Sequence, residues 1–213
     1  MSNTPTPPPF FALEGIDGSG KTTQLQHLEA HLVKRGYLVH STCEPTKNII
    51  GRMIRDIFAG KIMADQHVIA ALFCADRLDH IYNETDGLLV QQRTRAIISD
   101  RYYLSSLAYH GAHVDMQWVY DSNQPAMNAL RPTAHIYIDM DPKVSMERIA
   151  LSRQETELYE NLENLIAVRD AYEKGISMLP EGETVIRING NQPEEVVKND
   201  IIKAVDHILD KGL

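Results

Sequence analysis

Residues 10–22 read Phe10-Phe11-Ala12-Leu13-Glu14-Gly15-Ile16-Asp17-Gly18-Ser19-Gly20-Lys21-Thr22. A short apolar run stops at Gly15, as a buried strand does, and Gly15 to Thr22 then fits the spacing GxxxxGK[ST]. Glycines at those places let successive backbone N–H groups converge on an anion where side chains would obstruct them. Beyond them Leu25, Leu28 and Leu32 recur at helical spacing up to Arg35-Gly36, an amphipathic helix with a glycine stop. The positive end of that helix adds to the cradle. Gly15, Asp17, Gly18, Ser19, Gly20, Lys21, Thr22 and Thr23 are therefore the expected phosphate-binding set. Lys21 is placed to reach the β- and γ-phosphates of a nucleotide, and the Thr22 hydroxyl to bind Mg²⁺. A chance glycine-rich turn is the rival explanation, and the flanking strand and helix weigh against it.

Outward from this stretch the chain alternates short apolar runs with helical patterns. Further strands are expected at 37–42, 96–100, 134–138 and 184–188. Helices are expected at about 49–58, 65–82, 88–94, 142–151, up to about 178, and 193–209, with further helical stretches around Trp118. That alternation predicts an α/β fold, a parallel sheet with helices on both faces. Ligands on such sheets bind beyond the carboxyl ends of the strands. Asp100 ends the third strand, the usual place for a second carboxylate that holds Mg²⁺. Alone it would read as a helix cap; beside the glycine-rich loop the metal reading is preferred.

Composition narrows the partners. The chain has 213 residues, the size of one α/β domain, with 21 Lys+Arg against 29 Asp+Glu and a net charge of −8. That balance argues against nucleic acid or an anionic membrane as a partner, so cations for a small anion must be gathered locally. Cys43 and Cys74 form neither a disulfide framework nor a metal knuckle, which points to reduced thiols and a cytoplasmic location. Residues 1–9, MSNTPTPPP, read as a flexible proline-rich tail rather than a signal peptide. No apolar run approaches the roughly 20 residues of a membrane span. Residues 10–213 are expected to form a single domain.

The GTPase base-reading motif NKxD is absent. Four stretches carry a more specific likeness: FFALEGIDGSGKTTQ at 10–24, Glu44-Pro45 through Ile54-Arg55, LFCADR at 72–77 and SDRYYLSSLAYHG at 99–111. With YENLENLIAVRDAY at 159–172, they resemble in order the signatures of the thymidylate kinase family. The resemblance implies a P-loop kinase with a five-stranded parallel sheet and a short mobile lid at about 148–160. It also implies Mg-ATP as donor, dTMP as acceptor, dTDP as product and a homodimer.

Carried over residue by residue, it implies that Arg55 and Arg101 hold the acceptor monophosphate. Phe73 stacks on thymine, Arg77 bonds its exocyclic oxygen, and Ser106 belongs to the same substrate site. Asp17 lies by the sugar 3′-hydroxyl and Tyr109 packs on the deoxyribose. The chemistry is consistent with this. A phosphomonoester, with a second pKa of about 6, is already a nucleophile at neutral pH, so no general base is needed. Cations must instead cancel the repulsion between two anions and hold them in line. Lys21, Arg55, Arg101 and the lid's Arg153 fit that task, and Lys21, Arg101, Arg153 and Asp17 make the expected catalytic set.

The chain departs from the family's pattern in four places. His110 replaces a glutamine beside the base, and Glu44-Pro45-Thr46-Lys47-Asn48 replaces EPGGT. Glu157-Leu158-Tyr159-Glu160 thins the lid by one arginine, and Gly18 stands where some relatives carry another. Arg153, with Arg148 as a poorer candidate, must then supply the lid's charge. His27 and His31 flank a misplaced Glu29 for a zinc-protease helix, and His110 with His113 lacks further metal ligands. Two rival functions are a deoxynucleoside kinase, which would need a carboxylate base, and a non-catalytic nucleotide-binding regulator.

Overall fold

The computed structural model describes residues 7–152 and 161–211. Five strands, β1 (Phe10–Glu14), β2 (Val39–Cys43), β3 (Ala96–Asp100), β4 (Ala134–Asp139) and β5 (Val185–Asn189), form one parallel sheet in the order β2-β3-β1-β4-β5. β1 is buried along its whole length, the pattern of a central strand covered on both faces. Its side chains divide by the strand period of two. Phe10 and Ala12 enter one core layer, and Phe11 and Leu13 the other.

The second layer is closed by α1 (Lys21–Lys34) and α9 (Glu194–Asp210) through Leu28, Leu32, Val197, Ile201 and Val205. The two helices are also tied by His27 to Glu194 at 2.8 Å and His31 to Asp206 at 2.7 Å. The first layer receives α5 (Tyr103–Tyr109), α6 (Met116–Ala129) and α8 (Leu162–Met178), with Leu104, Leu107, Val119, Leu165 and Tyr172 buried. Beside it, α2 (Ile49–Phe58) packs on α3 (Gln66–Tyr82) around Ile54, Ile57, Ile69 and Phe73.

Register decides where chemistry collects. Asp100 lies opposite both Leu13 and Cys43, and Glu14 lies opposite Tyr137, so the carboxyl ends of β2, β3, β1 and β4 finish side by side. The connections run from β1 to β2 and β3 on one side and then to β4 and β5 on the other, so the order of the sheet switches beside β1, where ligands of such sheets bind.

Several expected boundaries shift. α1 begins at Lys21, directly after Gly20 in a left-handed conformation. β2 starts two residues later than expected, because Leu38 is exposed and only its carbonyl joins the ladder, accepting from Ala96 N–H at 2.8 Å. α4 (Leu88–Gln91) is a single turn rather than a helix to 94. α7 (Pro142–Ser152) leads toward the expected lid, of which residues 153–160 lie outside those described. Among the described residues no helix is long and apolar enough to cross a membrane.

Candidate functional site

The phosphate cradle has the form expected from residues 15–23. Gly15 and Gly18 hold φ of 146° and 74°, and both are crowded from above. A Cβ on Gly15 would stand 2.7 Å from the Ile138 carbonyl oxygen, and one on Gly18 would stand 2.8 Å from that of Ser145. The arginine some relatives carry at position 18 therefore has no room here unless α7 moves. Ser145 also donates its hydroxyl to the Asp17 carbonyl, fastening α7 to the loop. Ser19 is buried, Gly20 and Thr23 are half-buried, and Thr22 is exposed at the head of α1. Lys21 folds back, its ammonium donating to the carbonyls of Gly15 and Ile16 at 3.0 Å each. Burial, and then the Arg101 charge, push its pKa down to about 8. Its present acceptors are neutral, so an incoming phosphate is the better partner.

Thr22 donates its hydroxyl to Asp100 Oδ2 at 3.0 Å. A hydroxyl and a carboxylate at the mouth of a phosphate loop are hard oxygen donors, the set Mg²⁺ takes. The residues present fit that ion.

Beside the loop stands Arg101, in the left-handed region at φ 75° although it is not glycine. Such a conformation persists only where the surroundings hold it. Here Nη1 donates to the Gly15 carbonyl at 3.1 Å and the Ser105 hydroxyl at 3.2 Å. Nη2 donates to Asp17 Oδ1 and to the Tyr109 hydroxyl, the latter at 3.2 Å. The guanidinium lies 4.5 Å from the Tyr109 ring centre. Tyr109 in turn donates to Asp17 Oδ2 at 2.8 Å and accepts from the Asp17 N–H at 2.9 Å. Burial pushes the Asp17 carboxyl up, but Arg101, Lys21 and the Tyr109 hydroxyl outweigh it and hold it below the usual range. Asp17, expected by a sugar hydroxyl, is thus first an anchor for Arg101 and Tyr109.

The expected base site is knotted from α3 and the loop after β2. Arg77 is fully buried and donates Nε and Nη2 to Glu44 Oε2 at 2.8 and 2.6 Å, and Nη1 to Ser106 Oγ at 3.0 Å and to Asn123 Oδ1. Four of the five N–H groups of the guanidinium are thereby engaged. Ser106 accepts on its hydroxyl oxygen. Asp76 accepts from Thr46 N–H at 2.7 Å and its hydroxyl at 2.6 Å, and Asn48 donates to Asp79 at 2.8 Å. Arg55, exposed on α2, rests on the carbonyls of Pro45 and Thr46. The EPTKN loop is therefore rigidly seated.

Phe73 packs against Phe58 and lies 4.7 Å from the His110 ring, the two rings tilted to one another. His110 is buried and its Nδ1 has no partner. Burial pushes its pKa down to about 3, so the ring is neutral. An unpartnered N–H costs more than a lone pair, which favours the tautomer with the proton on Nε2.

α5 is the common support, since Ser106, Tyr109 and the adjoining His110 reach Arg77, Asp17 and Phe73 respectively. Arg148 donates to the carbonyls of Gly190 at 3.2 Å and Gln192 at 3.5 Å, so its charge is committed to the loop after β5. Arg153 lies outside the described residues. Sequence reasoning missed Tyr172, whose hydroxyl accepts from Gly15 N–H at 3.0 Å across 157 positions, and Glu44 as the counter-charge of Arg77. No local pattern marks either. The Glu44-Pro45 motif drew attention to the place without revealing its partner.

Comparison with known proteins identifies the family. A family model described as thymidylate kinase matches residues 13–201. The chain is 35% identical to a probable thymidylate kinase of Thermococcus gammatolerans over 96% of this chain and 99% of that one. It is 37% identical to one of Pyrococcus horikoshii, covering 94% and 97%. A putative thymidylate kinase of Treponema pallidum is 33% identical over 91% and 92%.

Proposed function

The chain belongs to the thymidylate kinase family of ATP-dependent nucleoside monophosphate kinases, and we propose a division of labour among its own residues for phosphoryl transfer from ATP to dTMP. The backbone of Gly15 to Thr23 and the ammonium of Lys21 receive the ATP phosphates. Arg101 and Arg55 receive the acceptor phosphate. Arg77, Ser106, Phe73 and His110 line the base, and Tyr109 packs on the sugar, where it crowds a 2′-hydroxyl. Asp17 orients Arg101, and Arg153 closes the charge from the lid, in one domain from residue 10 to 213.

The observation that carries this reading is the Asp17–Arg101–Tyr109 cluster braced on the Gly15 carbonyl. It sets a fixed cation against the lip of the phosphate loop, where an acceptor phosphate must meet the γ-phosphoryl group. The acceptor oxygen is already anionic, so no base is required. The protein supplies alignment and charge cancellation. Thr22 and Asp100 are the residues that would hold Mg²⁺. Held there, the ion would neutralise charge developing on the transferring phosphoryl group.

The partner is a second copy of the chain. Ile49 and Met53 on α2, Met63 and Val68 at the approach to and start of α3, and Trp118 on α6 expose apolar surface on neighbouring elements. The free cysteines Cys43 and Cys74 suit the cytoplasm, and the net charge of −8 suits no nucleic acid.

A coupled ADP-release assay with Mg-ATP, comparing dTMP, dUMP, dCMP, the ribose analogue of dTMP and thymidine, tests the reading. Strong preference for dTMP with thymidine inert supports both the phosphate cations and the base contacts. Thymidine as the better acceptor overturns them.

A further inference from the structure

A histidine sits where the sheet is driest. His135, the second residue of β4 and set between Ala134 and Ile136, is fully buried, and so is Glu14 at the end of β1. The imidazole is held between two carboxylates. Nε2 is 3.1 Å from Glu183 Oε2, and Nδ1 is 3.6 Å from Glu14 Oε1, a pairing distance rather than a hydrogen bond. The Tyr103 ring meets His135 edge-on at 4.9 Å and its hydroxyl donates to Glu183 at 2.6 Å. Arg131 approaches Glu183 at 3.9 Å. These are the charged and titratable groups around the ring, from β1, α5, the segment between α6 and β4, and the segment before β5.

Glu14 leads from this cluster to the reaction. Its Oε1 accepts from the Tyr102 N–H at 3.1 Å, and its Oε2 accepts from the Ser105 hydroxyl. Tyr102 and Ser105 close the turn that directly follows the left-handed Arg101, and Ser105 Oγ also accepts from Arg101 Nη1 at 3.2 Å. Ser105 Oγ and the Tyr172 hydroxyl are 2.9 Å apart, and the latter holds Gly15. A continuous polar path thus runs from Glu183 through His135 and Glu14 to the acceptor-side cation and the first glycine of the cradle. Buried ionic groups of this kind are often replaceable by apolar ones without loss of stability. Fold stability alone is therefore a weak reason for a histidine here.

We propose that His135 is a positioning residue for phosphoryl transfer: clamped against Glu183, it holds the Glu14 carboxylate in the orientation that fixes the Tyr102–Ser105 turn and, through it, Arg101. The inference rests on Arg101 being the acceptor-phosphate cation. Burial alone would lower the His135 pKa, but Glu14 and Glu183 prevail and raise it. Glu183 is reciprocally held low against its own burial by His135 and Tyr103. With the histidine raised, its positive charge is fully present below the ordinary value of 6.5 and is lost as pH rises through the raised value. The positioning effect follows the same direction.

The test uses the full-length enzyme at saturating Mg-ATP, where Lys21 is covered by phosphate. His135→Leu lowers kcat/KM for dTMP about tenfold or more, with the KM for ATP within twofold. Glu183→Gln keeps an acceptor for His135 and removes a charge, so the alkaline limb of kcat/KM for dTMP moves down by about one pH unit. Titration of the His135 imidazole by NMR shows the same displacement in Glu183→Gln. Lower melting temperatures with unchanged dTMP constants and an unmoved alkaline limb overturn the proposal. If His135→Leu does not fold, Glu183→Gln decides alone by the same criterion. If Arg101→Lys leaves the dTMP constants intact, the Arg101 assignment fails instead. A collapse in Arg101→Lys with unaffected His135 and Glu183 variants sinks only the positioning role.

Discussion

Replacing Glu44 by glutamine asks how much the base side of the site depends on one buried charge. Glu44 Oε2 takes two bonds from Arg77, at 2.8 and 2.6 Å, and Oε1 lies 3.1 Å from His80 Nδ1. Both Glu44 and Arg77 side chains are 1% exposed, so water cannot take over when the carboxylate goes. Removing one partner of such a pair leaves a buried uncompensated charge, a loss of about 3–5 kcal/mol. The amide keeps one carbonyl oxygen for Arg77, so the low end, about 3 kcal/mol, is expected. For a chain of this size each kcal/mol shifts Tm by about 2–4 °C, which gives a fall of roughly 6–12 °C. The surface pair Lys61–Asp56, exposed on both sides, is the control, and Lys61→Ala should change stability by less than about 1 kcal/mol.

Urea unfolding of Glu44→Gln, Arg77→Met and the double variant gives the coupling directly. Residues in contact couple by about 0.5–3 kcal/mol, and here the upper part of that range is expected. The double variant should regain stability over Glu44→Gln without regaining its KM for dTMP, since Asn123 and Ser106 no longer hold a guanidinium. The pH dependence has a definite sign. Burial raises the Glu44 carboxyl, but Arg77 and His80 prevail and hold it below the ordinary value of 4.5. Its stabilisation is present above that value and is lost as pH falls through the lowered one, so Glu44→Gln should flatten the acid limb. A Tm fall under about 2 °C, or a coupling below about 0.5 kcal/mol, would refute the reasoning.

Three further outcomes follow from other parts of the site. Gly18→Ala places a methyl at a φ of 74° and 2.8 Å from the Ser145 carbonyl, so α7 must yield; turnover should fall about tenfold or more, with nucleotide protection in thermal shift reduced. His110→Gln should remove a stability slope, because a histidine lowered to about 3 is neutral when folded but protonates near 6.5 when unfolded. Native stability then declines as pH drops below 6.5, and urea midpoints at pH 7 and pH 5 should differ more in the parent than in the variant. Arg153→Ala should lower turnover by about 10²-fold with ATP binding retained, by the logic of arginine fingers; an unaffected rate discards it as the lid cation.

What the sequence disclosed and what it hid divide by distance along the chain. The cradle from Gly15 to Thr23 was legible because one loop and the helix after it hold every part. The central strands β1, β3 and β4 were legible because buried parallel strands read as apolar runs, and the outer strand β2, half-buried throughout, was misplaced at its start, as at Leu38. Arg77 shows the limit. Its residue type and its place on α3 were readable, but its charge is answered by Glu44, 33 positions earlier, and its fork is closed by Asn123, 46 positions later. His135 was hidden for the opposite reason, since one polar residue does not disturb a strand pattern, and only folding sets Glu14 and Glu183 on either side of it.

The cations at the mouth fall into two kinds, and the difference explains how an acidic protein can hold two anions together. Arg101 and Arg77 face carboxylates, Asp17 and Glu44. Those pairs hold the two guanidiniums in place before substrate arrives. Lys21 and Arg55 lean on neutral carbonyls, of Gly15 and Ile16 in one case and Pro45 and Thr46 in the other. A phosphate oxygen is a stronger acceptor than a carbonyl, so these two are able to exchange partners as substrates arrive. The acidic excess then has a use. It balances Arg101 and Arg77 through Asp17 and Glu44, while Lys21 and Arg55, beside the held Arg101, are the cations we propose for the phosphates whose repulsion must be cancelled.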